Sequence, residues 1–404
     1  MVKHMNDKPI IIIGAGISGL TLCLILVKNG YPAILFEKEK EIDQPGAGIN
    51  ISPNGNAVLF QLGIKEKIIT IADKPNTIEL KTYKKGLTIS KQNLNDDSER
   101  LFNYPYLQMQ RKDIINILME EINNISPNII RTNHSFESYT ENKQSVLAHF
   151  NNQRSFEGSI IIGCDGINSA VRKIILPNSE NKFSGIIAWR GLVHMDKLSK
   201  KTQNLSSTVW MGKNSHFVHY PIKKSKFINF IGTLRKDKWE NNSWHQTGDK
   251  EELKKDFIDW NGTVKEIINN TGVIYKWGLF ENKSLPNWTT KRSVIIGDAA
   301  HPMSPSYGQG ANTAIEDAII LYRSILCFKN DTDSALKKFQ KNRKLRTEKI
   351  QKASKLNTRL FHLNNPILRV IIYSGMYIIS RLVPFILIKS SWIYKYNAFK
   401  IKLK

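Results

Sequence analysis

Residues 297–312 read GDAAHPMSPSYGQGAN, with one carboxylate, one imidazole and three glycines directly after the strand-like run SVIIG. Three chemistries use such a set: a hydrolase corner, a metal site, or a turn where backbone approaches a flat ligand. No G-x-S-x-G elbow is present, and Ser304 and Ser306 sit in a proline-bearing loop, so nucleophilic hydrolysis fails. A single imidazole, His301, does not make a metal site and reads as structural. The third chemistry remains. Asp298 ends a strand, and Gly308 and Gly310 lead into a helix of about residues 311–328, whose first N–H groups point at an anionic or polarised group. A second reactive pair stands in SHFVHYPI. His216 and Tyr220, four apart, fall on one face of a strand, and His219 falls on the other. Histidine is suited to accept a proton near neutral pH, so His216 is the base candidate, with Tyr220 orienting a substrate.

Two further strand-turn-helix units stand with the first. IIIIGAGISGLTLCLILVKNGYPAILFE begins as a continuous apolar run, as for a parallel strand buried on both faces. Gly14, Gly16 and Gly19 then allow a tight turn, close approach to a pyrophosphate and helix–strand packing. Glu37 ends the second strand, where a carboxylate accepts hydrogen bonds from both ribose hydroxyls and repels a 2′-phosphate. The pocket therefore suits FAD or NAD rather than NADP. The other unit, IIIGCDGINSAVRKII, places Asp165 at a helix start and Arg172 one turn in, as a plain cap or a ligand contact. Between them GAGINISPNG and a helix led by Arg111 break the strand–helix alternation of a dehydrogenase.

In this order GAGISG…E, CDGINSAVR and GDAAHPMSPSYGQGAN resemble the single-component FAD-dependent aromatic monooxygenases, the group of para-hydroxybenzoate hydroxylase. GAGINISPNG, QRKDI, AWRGLV, HFVHYPI and SSWIYKYN look like its salicylate and 3-hydroxybenzoate hydroxylase branch. The resemblance spans nearly the whole chain. It implies FAD as cofactor, NADH or NADPH as electron donor and O2 as co-substrate, with one oxygen atom passing through a flavin C4a-hydroperoxide to an aromatic or other electron-rich small molecule. It implies that Glu37, with Lys38, meets the adenosine ribose, and that Ile17 and Ser18 go with the glycine turn. Arg111 meets the pyrophosphate region, Asp165 and Arg172 shape its groove, and Gly297 and Asp298 hold the ribityl or pyrophosphate side. Gly48 and Gly308 line the cofactor, Gly310, Ala311 and Asn312 lie along the isoalloxazine, and Pro305 lies near its reactive face. Gln309 is a second substrate-contacting candidate, and Arg190 a candidate for a carboxylate. Related flavoenzymes acting on larger natural products, and a non-catalytic basic binding protein on the same fold, are the alternatives.

These residues need a scaffold of α/β class, α+β overall. We expect a Rossmann-like FAD-binding domain (1–73, 104–180 and 288–330) with an inserted antiparallel-sheet substrate domain (74–103 and 181–287). A C-terminal helical region (331–404) follows, and the inserted sheet should be a dry cover over the flavin. The length of 404 residues exceeds one ordinary core, consistent with two domains. The charge of +24 comes from dispersed lysines without a nucleic-acid-binding signature, so no nucleic acid partner is expected. Cys23, Cys164 and Cys327 each lie in apolar segments and read as buried thiols. No signal-peptide stretch opens the sequence, so a cytoplasmic monomer or homodimer is expected. Residues 332–362 read as one long basic helix. The apolar stretch 365–396 is interrupted by Arg369, Arg381 and Pro384 and does not span a membrane. Core packing, dimerisation and weak membrane-surface contact are its options, in that order.

Overall fold

The computed structural model describes residues 8–42, 48–204, 206–239, 247–282, 284–328, 331–383 and 385–404. Gly46 and Ala47 of the GAGINISPNG motif lie outside them. A five-stranded sheet runs in the order Ser293–Ile295, Ile160–Gly163, Ile10–Ile13, Ala33–Phe36, Ile130–Arg131, with every pairing parallel. Its central strand is isoleucine throughout and buried at every position, as a strand covered on both faces must be. Helix Ile17–Lys28 buries all its residues except the last. It packs against helices Arg111–Ile125 and Gly310–Cys327. A three-stranded antiparallel sheet, Phe136–Glu141, Val146–Phe150 and Ser155–Gly158, closes the other side through Phe36, Phe150 and Phe156.

A second, seven-stranded sheet draws all its strands from residues 77–93 and 182–281. Its order is Ile274–Glu281, Lys182–His194, Phe227–Arg235, Ser215–Ile222, Ser207–Met211, Thr77–Thr82, Thr88–Asn93. Alternation gives it two faces. Trp189, Phe217, Phe230 and Val193 pack under helices Lys250–Asp256 and Gly262–Asn270 through Phe257, Trp260, Val264 and Ile267. Ile231, Val218, Val209 and Leu80 face the opposite way, into a cavity. Gly191 and Gly232 sit where aromatic rings cross the strands: a Cβ at Gly232 would meet the Phe257 ring at 2.6 Å.

A two-stranded antiparallel ladder, Gly48–Ile51 with Leu107–Gln110, meets the large sheet, and the Gly48 N–H donates to Asn229 Oδ1 at 2.9 Å. A Cβ on Gly48 would lie 2.6 Å from Asn229 Cγ and 2.8 Å from the Tyr220 hydroxyl, so the cover sheet seats here only on a glycine. Helix Thr332–Phe361 crosses both units. Arg343 binds helix Gly310–Cys327, and Lys355 pairs with Glu281 of the large sheet at 2.7 Å. Two short helices, Pro366–Leu382 and Phe385–Tyr394, finish the chain. One cysteine expectation fails: Cys23 and Cys164 are buried, but Cys327 is exposed, in the last turn of its helix, where Leu326 is exposed as well.

Candidate active site

The glycine turn is built from contacts that no side chain survives. Gly14 has φ +104°, and a Cβ there would lie 2.6 Å from the Cys164 carbonyl oxygen; one on Gly19 would land on the Gly14 carbonyl. Gly16 is different: no atom stands within 4 Å of its Cβ position, and it caps helix Ile17–Lys28 without a side-chain partner. Open space at a helix N-terminus is where a phosphate is held by backbone N–H groups. Ile17 and Ser18 are buried behind it. Glu37 receives the Ala15 N–H at 2.7 Å and the Glu39 N–H at 3.1 Å, tying the second strand to the turn. Lys38 is exposed, 3.5 Å from Glu39.

Asp165 is both a cap and more. Its Oδ2 accepts the N–H groups of Ala170 (2.7 Å) and Val171 (3.2 Å), while the buried Oδ1 has no hydrogen-bond partner. Burial raises its pKa above the ordinary carboxylate range, against the hydrogen bonds that lower it. Beside it Gly166 has φ +72° and open space at its Cβ position. Arg172 is sealed from solvent. Its guanidinium donates to the carbonyls of Ala299 (3.1 Å) and Ile167 and to Asn181 Oδ1 (3.0 Å), clamping two loops together, while its buried Nε has no hydrogen-bond partner.

Asp298 follows Gly297 (φ +62°) and opens to the cleft although protein surrounds it. Those surroundings raise its pKa, with His301 and Arg111 pulling it down. Arg111, on the facing helix, keeps a buried Nε without a partner, and burial lowers its pKa. Gly308 takes φ +60°, and Gly310 begins the long helix 3.8 Å, as a Cβ would measure it, from Asp298 Oδ1. Asn312 fixes that helix start: its Oδ1 accepts the Ser52 N–H at 2.9 Å, and its Nδ2 donates to the Asn50 and Gly308 carbonyls. The first-turn N–H groups around Gly310 and Ala311 have no intrahelical acceptor. Gln309 departs from expectation. Its amide donates to Ser52 Oγ (2.9 Å) and accepts from Asn54 (3.1 Å), so it belongs to the buried wall beneath the helix.

Beneath this helix lies a charge network that the sequence reading did not find. Arg343 bonds Asp317 (2.6 Å) and Glu316 (2.8 Å), Arg346 bonds Glu316 (2.7 Å), and His301 Nε2 meets Asp317 Oδ2 at 2.5 Å, all away from solvent. Burial would raise the Asp317 pKa, but His301 and Arg343 overcome it and hold it low. Asp317 also accepts the Gly297 N–H at 2.9 Å, so the network fixes the turn that presents Asp298. Arg343→Ala leaves two buried carboxylates short of a cation, Glu316 with Arg346 alone and Asp317 with His301 alone. It is expected to cost about 3–5 kcal/mol of unfolding free energy, read by denaturant melts; an unchanged midpoint would refute this role.

Between the two units lies a cavity of about 130 Å³. Pro305, Ser306, Tyr307 and Gly308 form one side, and His216, Val218, Tyr220 and Ile231 of the large sheet form another. Leu360, Phe361, Met376, Ile386, Lys389, Ser390 and Tyr394 close it from the C-terminal helices. His216 and Tyr220 do share a face, with His219 turned to the other side among buried groups. His216 Nδ1 lies 2.7 Å from His362 Nε2 and 2.7 Å from Thr233 Oγ1. Burial pushes its pKa down to about 3, below the near-neutral range expected of it from the sequence, so it is neutral at physiological pH, a weaker base than a free imidazole, and offers one ring nitrogen as an acceptor. Burial raises the Tyr220 pKa, and Arg190 pulls it back. Arg190 stacks 4.9 Å from the Trp277 ring centroid, its buried Nε has no partner, and burial lowers its pKa to about 10. Lys389 donates to Asn357 Oδ1 at 3.0 Å, and burial lowers its pKa. His362, Thr233 and Lys389 were not anticipated. A lone lysine within FILIKSSW was the available signal for Lys389; the His362 partner stands 146 residues away and left none.

The donors and openings fit FAD. Open space at Gly16 and Gly166, the unpaired Asp165 Oδ1, the unpaired Arg111 Nε and the free helix start at Gly310 suit hydroxyls, a pyrophosphate and the electron-rich end of a flavin. Similarity to known proteins agrees. Residues 7–354 match the profile of the FAD binding domain family. A 3-amino-4-hydroxybenzoate 2-monooxygenase of Streptomyces platensis is 30% identical over 364 residues, 90% of this chain and 91% of that one. The 3-hydroxybenzoate 6-hydroxylase 1 of Aquipseudomonas alcaligenes is 31% identical over 350 residues, covering 86% and 87%. A salicylate hydroxylase substrate complex has the same fold, with a TM-score of 0.79 at 22% identity over 98% of this chain and 97% of that one.

Proposed function

The chain belongs to the FAD-binding family and is a flavin-dependent aromatic monooxygenase, and we propose that its own substrate is a single-ring aromatic acid bearing a ring hydroxyl. The observation that carries this reading is the cavity. It has room for about one aromatic ring, with a neutral imidazole and a tyrosine on one wall and a lysine on another. The relatives named above act, by their names, on hydroxybenzoates. A larger natural product suits this volume less.

We read residues 1–73, 104–180 and 288–330 as holding the cofactor and 74–103 with 181–287 as the cover. Glu37, Arg111, Asp298 and the helix start at Gly310 would hold FAD. When bound, FAD supplies the reductive activation of O2, with electrons from NADH or NADPH. The protein's share is to bind, orient and dry the ring. His216, through Nε2, which lies farther from Thr233 Oγ1 (3.3 Å) than Nδ1 does (2.7 Å), accepts the phenolic proton and makes the ring carbon more nucleophilic. Tyr220, beside Arg190, orients the hydroxyl side. Lys389, on the cavity wall beside Asn357, receives the carboxylate. The apolar wall of Ile78, Leu80, Val209, Val218 and Ile231 excludes water.

The purified protein should show a bound-flavin spectrum and oxidise NADH or NADPH faster with a hydroxybenzoate, giving a product heavier by one oxygen. Bound flavin without stimulation by any ring acid would refute the substrate class while leaving the family intact. Lys389→Met is expected to raise KM about tenfold to a hundredfold for the carboxylate, from the loss of a charged hydrogen bond of about 1.5–3 kcal/mol. The carboxamide of the same ring should be nearly unaffected. Equal effects on both would remove Lys389 from substrate recognition.

A further inference from the structure

Helix Pro366–Leu382 has two apolar faces and only one of them is covered. Ile372, Tyr373 and Met376 turn inward, and Ser380 Oγ donates to the Ile89 carbonyl of the edge strand at 3.1 Å. On the opposite face stand Ile367, Ile371, Ile378 and Leu382, at helical spacing, with Leu382 78% exposed. Of the large hydrophobics exposed among the described residues, nine lie within 367–383 and the other ten are spread over the rest. A helix apolar all round belongs in a core or against lipid. Its ranking here as core packing therefore holds for the inner face alone.

Charge selects what covers the outer face. After Glu348 the sequence contains no acidic residue, while residues 349–404 hold 11 lysines and arginines. Two copies meeting through this face would bring together two segments that carry lysine and arginine and no carboxylate side chain. An anionic bilayer supplies the opposite charge and an apolar layer for the isoleucines and leucine. No helix among the described residues is long and apolar enough to cross a membrane. We propose that helix Pro366–Leu382 lies in the plane of an anionic membrane surface and attaches the enzyme to it. The inner face of the same helix supplies Met376 to the cavity, so attachment sets the outer side of the cavity wall at the lipid boundary. The proposal does not depend on the substrate assigned above.

Flotation of the full chain with vesicles tests it. The protein should float with phosphatidylcholine vesicles containing phosphatidylglycerol and not with phosphatidylcholine alone, and added salt should release it. The double variant Ile371→Asn/Ile378→Asn changes no cavity side chain and should keep the melting temperature and turnover in buffer. It should partition about tenfold or more less strongly. Failure to bind anionic vesicles would overturn the proposal. So would binding that the double variant leaves intact, or a dimer by light scattering that the double variant dissociates while vesicle binding is absent.

Discussion

His216→Gln is expected to lower turnover by about two to four orders of magnitude while flavin content and melting temperature stay near wild type. The imidazole is sealed from solvent at 3% exposure and held by Thr233 and His362 at 2.7 Å each. A glutamine amide retains the volume and a hydrogen bond to those neighbours but cannot accept a proton. The phenol must then lose its proton to solvent before the ring is activated. The variant's rate should therefore climb roughly tenfold per pH unit below the phenol's own pKa, which the wild type should not do. Because the His216 pKa lies at about 3, the wild-type rate should show no His216 titration between about pH 6 and 8. His362→Gln should have a smaller effect, since His362 touches His216 and does not line the cavity. Steady-state rates for both variants across pH, with a single hydroxybenzoate, decide the matter. A His216→Gln enzyme with wild-type kcat, or one without pH rescue, would remove His216 from the proton transfer.

What could be read from the sequence were contacts encoded within a few residues of one another. The glycine turn, the strand-end Asp165 and Asp298 and the Gly308–Gly310 helix start are local, because strand, turn and helix are consecutive. Strand periodicity put His216 and Tyr220 on one face and His219 on the other for the same reason. What was missed pairs residues far apart in the chain. Arg343 reaches Asp317 from another helix, His362 reaches His216, and Lys389 enters the cavity from near the C-terminus. Residue type also carries no direction. Gln309 and Arg172 sit in motifs that face the ligand cleft, yet their side chains are committed to Ser52 and Asn54 and to Ala299 and Asn181. Composition alone did not separate the two faces of helix 366–382. Its inner and outer positions are equally apolar, and only the placement against the edge strand decides which is covered.

Acid should unfold this protein unusually early, and three histidines set the window. His216, His219 and His362 are all buried, and burial pushes their pKa values down to about 3, 3 and 2 from the ordinary 6.5. Lys81 adds to the effect at His219, and His216 and Arg235 add to it at His362. Between those values and 6.5 the unfolded chain binds these protons and the native chain does not, so stability falls as pH falls. Each histidine contributes at most about 1.4 kcal/mol per pH unit, or about 4 kcal/mol per unit for the three. A typical margin of about 5–15 kcal/mol would then be exhausted between about pH 5 and 3. Asp165 and Asp298 act in the opposite sense: with raised pKa values they take up protons in the native state first and soften the decline. His219 allows a clean test, because both of its ring nitrogens are buried without hydrogen-bond partners. His219→Gln removes one titrating group at similar volume and opens no hydrogen bond. Urea melts from about pH 7 to 4 should show the wild-type free energy dropping steeply below about 6.5, and the variant's slope smaller by about a third. Parallel acid limbs would mean that His219 is already solvated in the native state, and that the cover sheet admits water where the cavity chemistry needs it dry.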